Sequence, residues 1–402
     1  MTSIPKSSTA EQADRLAQDE TFWENIAQQY DVESGALNLE YGYFGRMTRE
    51  VLRQYEQNLA YVNRSNAVYV RQRFDAHDSE VIRADLAQLL GVGAHEIALT
   101  RCATESLQTL IRNYNELQPG EQVLISDLDY NSVQTAMRWL AKRCGAGIVE
   151  ITHRHPATHE SLLQSYRDAF VANPGIRLMA LTHVTHRTGL VMPVQDITDL
   201  ARSHGVDVIL DGAHALGQLD FELDTLNVPF AGFNLQKWMG APLSLGFLYV
   251  RQGRLGAIDP DMGDTRYADD DILGRVPYGT PNIPALMTLP TVFAEHRAIG
   301  GSAVKGARLA YLRDLWVKEA RAIEGIEVLT PDDPRLYCGI TSFRFTRHED
   351  QQVMAQRLLD EHGIFAVTRY GASCGPCIRI TPGFTTRADD MARLVAALRA
   401  LA

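Results

Sequence analysis

Two residues in the middle of the chain have the types and spacing for covalent amine chemistry. Asp211 closes an apolar run, residues 206–210, and opens the segment Asp211-Gly212-Ala213-His214-Ala215-Leu216-Gly217. Lys237 follows 26 residues later in Gln236-Lys237-Trp238, at the end of a second strand-like run, residues 230–235. That separation holds one crossover, so both groups can project from the same edge of a sheet. A lysine and a carboxylate so placed suit pyridoxal phosphate, which needs an amine for its Schiff base and an acid to keep its pyridine nitrogen protonated. The protonated ring is the sink for the electrons of a bond broken at a substrate α-carbon. The alternative is a buried Asp–Lys pair of structural use. Buried ionised side chains at strand ends are uncommon without a task, which favours chemistry.

A phosphate cradle belongs on the same edge. Residues 97–100 read as a strand, and Thr104 reads as the N-cap of a helix that starts directly after it, in Arg101-Cys102-Ala103-Thr104-Glu105-Ser106. The free N–H groups and positive end of such a helix form an anion site. Any capped helix offers this much, so the signal is weak alone.

These groups need a scaffold, and the chain supplies one. From about residue 78 helices and strands alternate: helices over 78–90, 104–117, 133–143, 160–172 and 193–204, and short apolar strands over 123–126, 147–152, 177–183 and 206–210. Near-continuous apolar strands between helices are what a parallel sheet covered on both faces requires. Such sheets bind ligands beyond the carboxyl ends of their strands. Upstream, residues 1–30 read as a polar arm with a short amphipathic helix around Phe22, Trp23 and Ile26. After about residue 255 the texture changes to an Asp-, Gly- and Pro-rich stretch, 259–279, then a long helical pattern over 303–323. A short α/β tail follows, with strands at 340–346 and 377–381 and helices at 349–362 and 387–401. The expected division is an arm and pocket segment at 1–59, a large domain at 60–265 and a smaller one at 266–402.

Composition removes other classes. The 402 residues are 45% hydrophobic and 22% charged, the balance of a folded enzyme, and the net charge of −10 lacks the basic footprint of a nucleic-acid binder. No segment approaches the roughly 20 apolar residues of a membrane span, and the first residues lack the apolar core of a secretory signal. Five scattered cysteines make no disulfide framework. A cytoplasmic protein with no membrane or nucleic-acid partner is expected. Gly91-Val92-Gly93 and Gly145-Ala146-Gly147 lack the third glycine of a dinucleotide fingerprint. Gly371-Ala372-Ser373-Cys374-Gly375 spells a nucleophile elbow, yet Pro376 and a strand follow it and no histidine occurs after His362. His153, His155 and His159 have metal-ligand spacing in a polar connection without a fourth ligand, and no metal is expected there.

Ala103-Thr104-Glu105, Asp211-Gly212-Ala213-His214 and Gln236-Lys237-Trp238, in this order, resemble the fold-type I pyridoxal-phosphate enzymes of the class V aminotransferase family. Residues 39–45 (LEYGYFG), 127–130 (DLDY), His183-Val184-Thr185 and Gly279-Thr280 match as well. The chain looks most like the isopenicillin N epimerase-like branch, with cysteine desulfurases as more distant cousins. The resemblance implies an α/β fold: a large domain with a mainly parallel sheet, and a smaller α+β C-terminal domain joined by the N-terminal arm. It also implies pyridoxal 5'-phosphate and a homodimer.

By that resemblance Lys237 carries the cofactor and shuttles the substrate α-proton, Asp211 pairs with the ring nitrogen, Tyr130 stacks on the ring face, and His214 lies beside the ring. Thr104 and the N–H of Glu105 hold the phosphate, with Ala103, Thr185, Asn234 and Gln236 among the cofactor contacts. Gln236 replaces the histidine common in the family, and His186 replaces a smaller polar residue. Thr280 matches a residue that reaches the phosphate of the neighbouring subunit. Arg379 matches the arginine that grips the substrate carboxylate, a task suited to a planar bidentate fork. Arg369 stands near the same pocket. The substrate side chain is read by loops around Tyr41, Tyr43, Phe44 and Tyr278.

Cys374 lies only five residues before Arg379, a shorter gap than in the desulfurase loop that bears a nucleophilic cysteine. The expected activity is therefore at the α-carbon, or the adjacent carbon, of an amino-acid-like substrate, with epimerisation first. Transamination, C–S lysis and desulfurisation are its rivals. An inactive relative kept for binding is the alternative of another class, and the joint presence of Lys237, Asp211 and Arg379 speaks against it.

Overall fold

The computed structural model describes residues 10–32, 35–277 and 279–402. Its strands are β1 (Leu37–Asn38), β2 (Ile97–Thr100), β3 (Gln122–Ser126), β4 (Gly147–Ile151), β5 (Ile176–Thr182), β6 (Asp207–Asp211), β7 (Phe230–Asn234), β8 (Gly246–Val250), β9 (Ile326–Val328), β10 (Thr341–Phe345), β11 (Ile364–Phe365), β12 (Val367–Arg369) and β13 (Cys377–Ile380). Seven of them form one sheet in the order β2-β8-β7-β6-β5-β3-β4. Every pairing from β7 to β4 is parallel, whereas β8 runs antiparallel to both of its neighbours. Two reversals restore direction, so β2 ends on the same edge as β3, β5, β6 and β7.

The strands are apolar on both faces because helices cover both faces. β7 and β8 are buried throughout. The helix Val194–Ser203 buries Val194, Ile197, Thr198 and Ala201, the stripe expected of a helix lying on a sheet. The chain leaves β3 outward to β4 and returns to β5 on the other side, which makes the β3/β5 boundary a switch point where a crevice opens.

The C-terminal unit is an antiparallel sheet, β12-β13-β10-β9, with the helices Gly301–Ala320, Gln351–His362 and Ala388–Leu401 around a core containing Leu312, Trp316, Phe343, Ile378 and Leu398. The helix Ala10–Ala17 packs along Gly301–Ala320, and β1 pairs in parallel with β11. Glu40 then bridges to Thr381, which brings residues 40–45 over the carboxyl edge of the large sheet. The core under that sheet also takes in Ile283, Leu289, Val292, Phe293 and Leu336.

Some local details depart from expectation. The helix expected over 104–117 is Ala103–Asn113; it stops where Tyr114 turns extended, sets its ring edge-on to Phe230 and donates its hydroxyl to Asp207 (2.8 Å). Cys102, not Thr104, is the N-cap, so Thr104 sits inside the first turn. A helix over Arg49–Tyr69, continued by a π-helical stretch Val70–Asp78, lies where no element was expected. The three histidines do not converge: His153 is buried against Tyr166, His155 pairs with Glu327 (3.5 Å), and His159 with Asp196 (2.8 Å).

Candidate active site

Lys237 follows β7 and turns inward, where its Nζ lies at hydrogen-bond distance, 2.9 Å, from His214 Nε2. Burial pulls the lysine down to about 7, and the nearby Arg379 adds to this; the charges of Asp211 and Glu40 act the other way. His214 is held neutral, first by burial and then by Lys237. The pair carries at most one proton in excess near neutral pH, so Lys237 is available as a free amine. Asp211, at the end of β6, accepts the Ala213 N–H (2.9 Å), and burial raises its carboxyl above the ordinary range although that bond and Lys237 favour the anion. Gly212 keeps this turn tight, since a Cβ there would lie 2.1 Å from the Phe233 ring.

An anion cradle opens beside these groups. Asn234 Oδ1, at the end of β7, accepts the Ala103 N–H (2.9 Å) and the Gln236 Nε2 (3.1 Å). That bond orients the start of the helix Ala103–Asn113, whose N-cap Cys102 makes no side-chain bond to the first turn. The Gln236 Oε1 is buried with no partner. Glu105 turns its carboxylate back to the Arg101 N–H (2.6 Å) and guanidinium, so its own backbone N–H is the part offered to an anion. Gly232 lets the helix lie against β7, because a Cβ there would meet Leu107 and Ser106 at 2.9 Å.

The other wall comes from the β3/β5 switch point. Tyr130 is half exposed and meets the His186 ring edge-on at 4.9 Å. His186 is driven down to about 2, first by burial and then by Arg187 and Arg379, so it is neutral. The Thr185 hydroxyl bonds to Thr188 (2.8 Å) and accepts the Leu190 N–H (3.0 Å), which commits it to its own turn. Arg379 on β13 is buried, with burial holding its guanidinium down to about 10. It forks onto Glu40 and donates Nη1 to the His186 carbonyl (2.8 Å), while Arg369 Nη2 reaches Glu40 Oε1 (2.6 Å). Tyr43 is exposed and packs on Phe44, and Thr280 is exposed. Tyr278 lies outside the described residues.

Three residues here have no role assigned from the sequence. Glu40, a charge inside the matched run 39–45, is the first. Asp129 is the second: it accepts the Ser126 N–H (2.7 Å) and the Thr182 hydroxyl (2.8 Å), joining β3 to β5, and burial raises it to about 7. Arg187 is the third, buried and bonded to the carbonyls of Asp127 (2.6 Å), Asp129 (3.0 Å) and Tyr370 (2.7 Å) and to Asn131. It brackets the Tyr130 loop to the C-terminal unit. Cys374 is half-buried, its thiol raised chiefly by burial, in a small pocket with His153, His155 and Leu329.

The family described as Aminotransferase class-V matches residues 45–393. An isopenicillin N epimerase of Streptomyces clavuligerus is 29% identical over 341 residues, covering 79% of this chain and 83% of that protein. A probable cysteine desulfurase of Vibrio cholerae is 25% identical, covering 86% and 87%. Among solved structures, a cysteine desulfurase of Escherichia coli superimposes with a TM-score of 0.80 at 20% identity, covering 94% of this chain and 98% of that one. A cystine C–S lyase in complex with cysteine persulfide gives 0.77 at 20% identity, covering 94% and 99%. The chain belongs to the class V aminotransferase family and is a pyridoxal-phosphate-dependent enzyme.

Proposed function

We propose that Lys237 holds the cofactor and moves the proton at the α-carbon of an amino-acid-like substrate, with inversion of that carbon as the reaction. The observation that carries this reading is the part-buried Lys237–His214 contact at 2.9 Å, with the amine lowered to about 7. A group that must take and return a proton works best with a pKa near the operating pH.

The residues fit the cofactor. The Ala103–Asn113 helix start, steered by Asn234, would offer its free N–H groups to the phosphate. Asp211 would hold a proton on its ring nitrogen, and the Tyr130–His186 pair would wall its face. Bound there, the cofactor supplies a protonated ring that accepts the electron pair of the bond broken at the α-carbon. Lys237 takes and gives the proton, His214 receives its hydrogen bond, and the arginines orient the substrate carboxylate.

Desulfurisation is the second reading, favoured by the relatives named above and by Cys374. A thiol raised by burial is a poor source of thiolate, and the Cys374 carbonyl, held by Arg344, fixes its loop. A homodimer with Gly279-Thr280 reaching the partner's site belongs to the same proposal, as does the cytoplasm; five unpaired cysteines fit a reducing compartment. Among the described residues no helix is long and apolar enough to cross a membrane.

The test is a screen of amino acids in D2O with the cofactor-loaded protein, reading α-deuterium uptake and configuration. Exchange with inversion, retained in Cys374→Ser and absent in Lys237→Ala, is expected. Sulfur release from cysteine that disappears in Cys374→Ser would move the second reading to first place.

A further inference from the structure

The C-terminal unit holds one turn of the large domain by its backbone. Three successive carbonyls of that turn accept from it: His186 from Arg379 Nη1 (2.8 Å), Arg187 from the Ser342 hydroxyl, and Thr188 from the Thr330 hydroxyl. The Val191 N–H donates to the Leu336 carbonyl (3.0 Å). Gly189 is pressed so close that a Cβ there would clash with the Ile340 carbonyl. Strands β10 and β13, which carry Ser342 and Arg379, therefore fix where this turn lies.

The Arg187 side chain, itself only 3% exposed, extends the hold to two loops. Nη1 donates to the carbonyls of Asp127 (2.6 Å) and Asp129 (3.0 Å), and Nη2 donates to Asn131 Oδ1. Tyr130 is thus clamped through the residues on either side of it. Nε donates to the Tyr370 carbonyl (2.7 Å), in the loop between β12 and β13. Gly371 lets that loop approach, since a Cβ there would lie 3.3 Å from Nη2. A second bond between the same loops, from the Ser373 N–H to Asp127 Oδ2 (2.7 Å), is exposed.

Among the described residues the Arg187 side chain bonds only to neutral oxygens; Asp127 and Asp129 act on it through their charge. Burying a guanidinium without an ion pair is costly. A planar fork that braces two loops at once gives that burial a use, which a lysine in its place would not match. The ring so clamped meets His186, the neighbour of Arg187, edge-on at 4.9 Å.

We infer that Arg187 is a positioning residue: it seats Tyr130 over the cofactor ring by tying residues 127–131 to the turn that Arg379 and the C-terminal unit hold. This deepens the proposed function and rests on Tyr130 facing the cofactor. One turn then sets both the wall of the ring and the arginine of the carboxylate site, and a C-terminal unit that shifts takes Tyr130 with it.

Two measurements test it. The first is a double-variant cycle on affinity for pyridoxal phosphate and on the visible circular dichroism of the bound cofactor, which reports the asymmetry of its walls. Tyr130→Ala is expected to weaken affinity by about three- to tenfold, the worth of an aromatic contact. Arg187→Ala is expected to lose no more than that and to shrink the dichroism in the same way. In the Tyr130→Ala background Arg187→Ala costs nothing further, because the residue it acts through is gone. Losses that multiply in the double variant, or an Arg187→Ala protein with wild-type affinity and dichroism, overturn the inference. Should the alanine variant not fold, Arg187→Lys, which keeps the charge and loses the fork, takes its place in the same cycle. The second measurement is hydrogen exchange in cofactor-free Arg187→Lys. Exchange is expected to quicken together in residues 127–131 and 370–374 and to stay unchanged in the helix Ala103–Asn113. Unchanged exchange in 127–131 also overturns the inference. Should the wild-type protein give no cofactor absorbance, the proposed function falls, and the exchange measurement still decides the case for Arg187.

Discussion

Lys237 Nζ and His214 Nε2 lie 2.9 Å apart inside a site that lowers the pKa of both. When Lys237 is charged it can only donate, and in that state Nε2 accepts and the imidazole proton sits on Nδ1, an atom buried without a partner.

The first prediction concerns that lysine. In cofactor-free protein Lys237 should react with an amine-directed reagent along a curve centred near pH 7, with reactivity rising as pH rises, whereas exposed lysines react near 10. Peptide mapping after labelling separates it from Lys305, which is lowered to about 8. A midpoint near 10 for Lys237 would remove the basis for its role.

Asp211→Asn keeps the shape of the turn and removes the acid. Turnover should fall on the order of 10²–10⁴-fold, the range of a lost acid–base group, while most of the cofactor stays bound. The ratio of cofactor to protein and kcat, measured on the same sample, check this.

Asp129 gives a pH signature in stability. Its folded-state pKa of about 7 lies above the unfolded value near 3.9, so the folded protein holds the proton more tightly between those values. Stability from this group is present below about pH 4 and is lost as pH rises through about 7. Asparagine can keep both bonds by accepting from Ser126 N–H and donating to the Thr182 hydroxyl. Asp129→Asn should therefore lose less stability across that window than the wild type, as read by denaturant midpoints at several pH values.

Gly232→Ala places a methyl group 2.9 Å from Leu107 and Ser106, in the floor beneath the anion cradle. Overpacking of this kind costs about 1–3 kcal/mol. Because the helix Ala103–Asn113 must lift, affinity for the cofactor should fall together with stability. Equilibrium unfolding and cofactor titration on the same variant check both.

Much of this architecture was legible because each signal was local. The apolar runs before Asp211 and Lys237 are both buried strands that end on one edge, and their spacing announces this. The helix Arg49–Tyr69 was not legible, since Arg, Gln, Glu and Asn surround a thin stripe of which only Val51, Asn58 and Tyr69 are buried. Thr104 has the chemistry of an N-cap, yet Cys102 takes the position because Asn234, 131 residues away, captures the Ala103 N–H. Glu40 was equally out of reach, because its partners lie more than 300 residues downstream.

The antiparallel strand β8 has a consequence for synthesis. It lies between β2 and β7, and Gly246 leaves room for the helix start, where a Cβ would meet Cys102 at 2.8 Å. A ribosome-bound chain that has released Lys237 but not residues 246–250 has its amine and no floor under the phosphate-binding turn. The turn that would hold the phosphate is therefore complete only once residues 246–250 are in place, although this strand donates no side chain to it. Nascent chains stalled on either side of Val250 would mark the point at which capture begins.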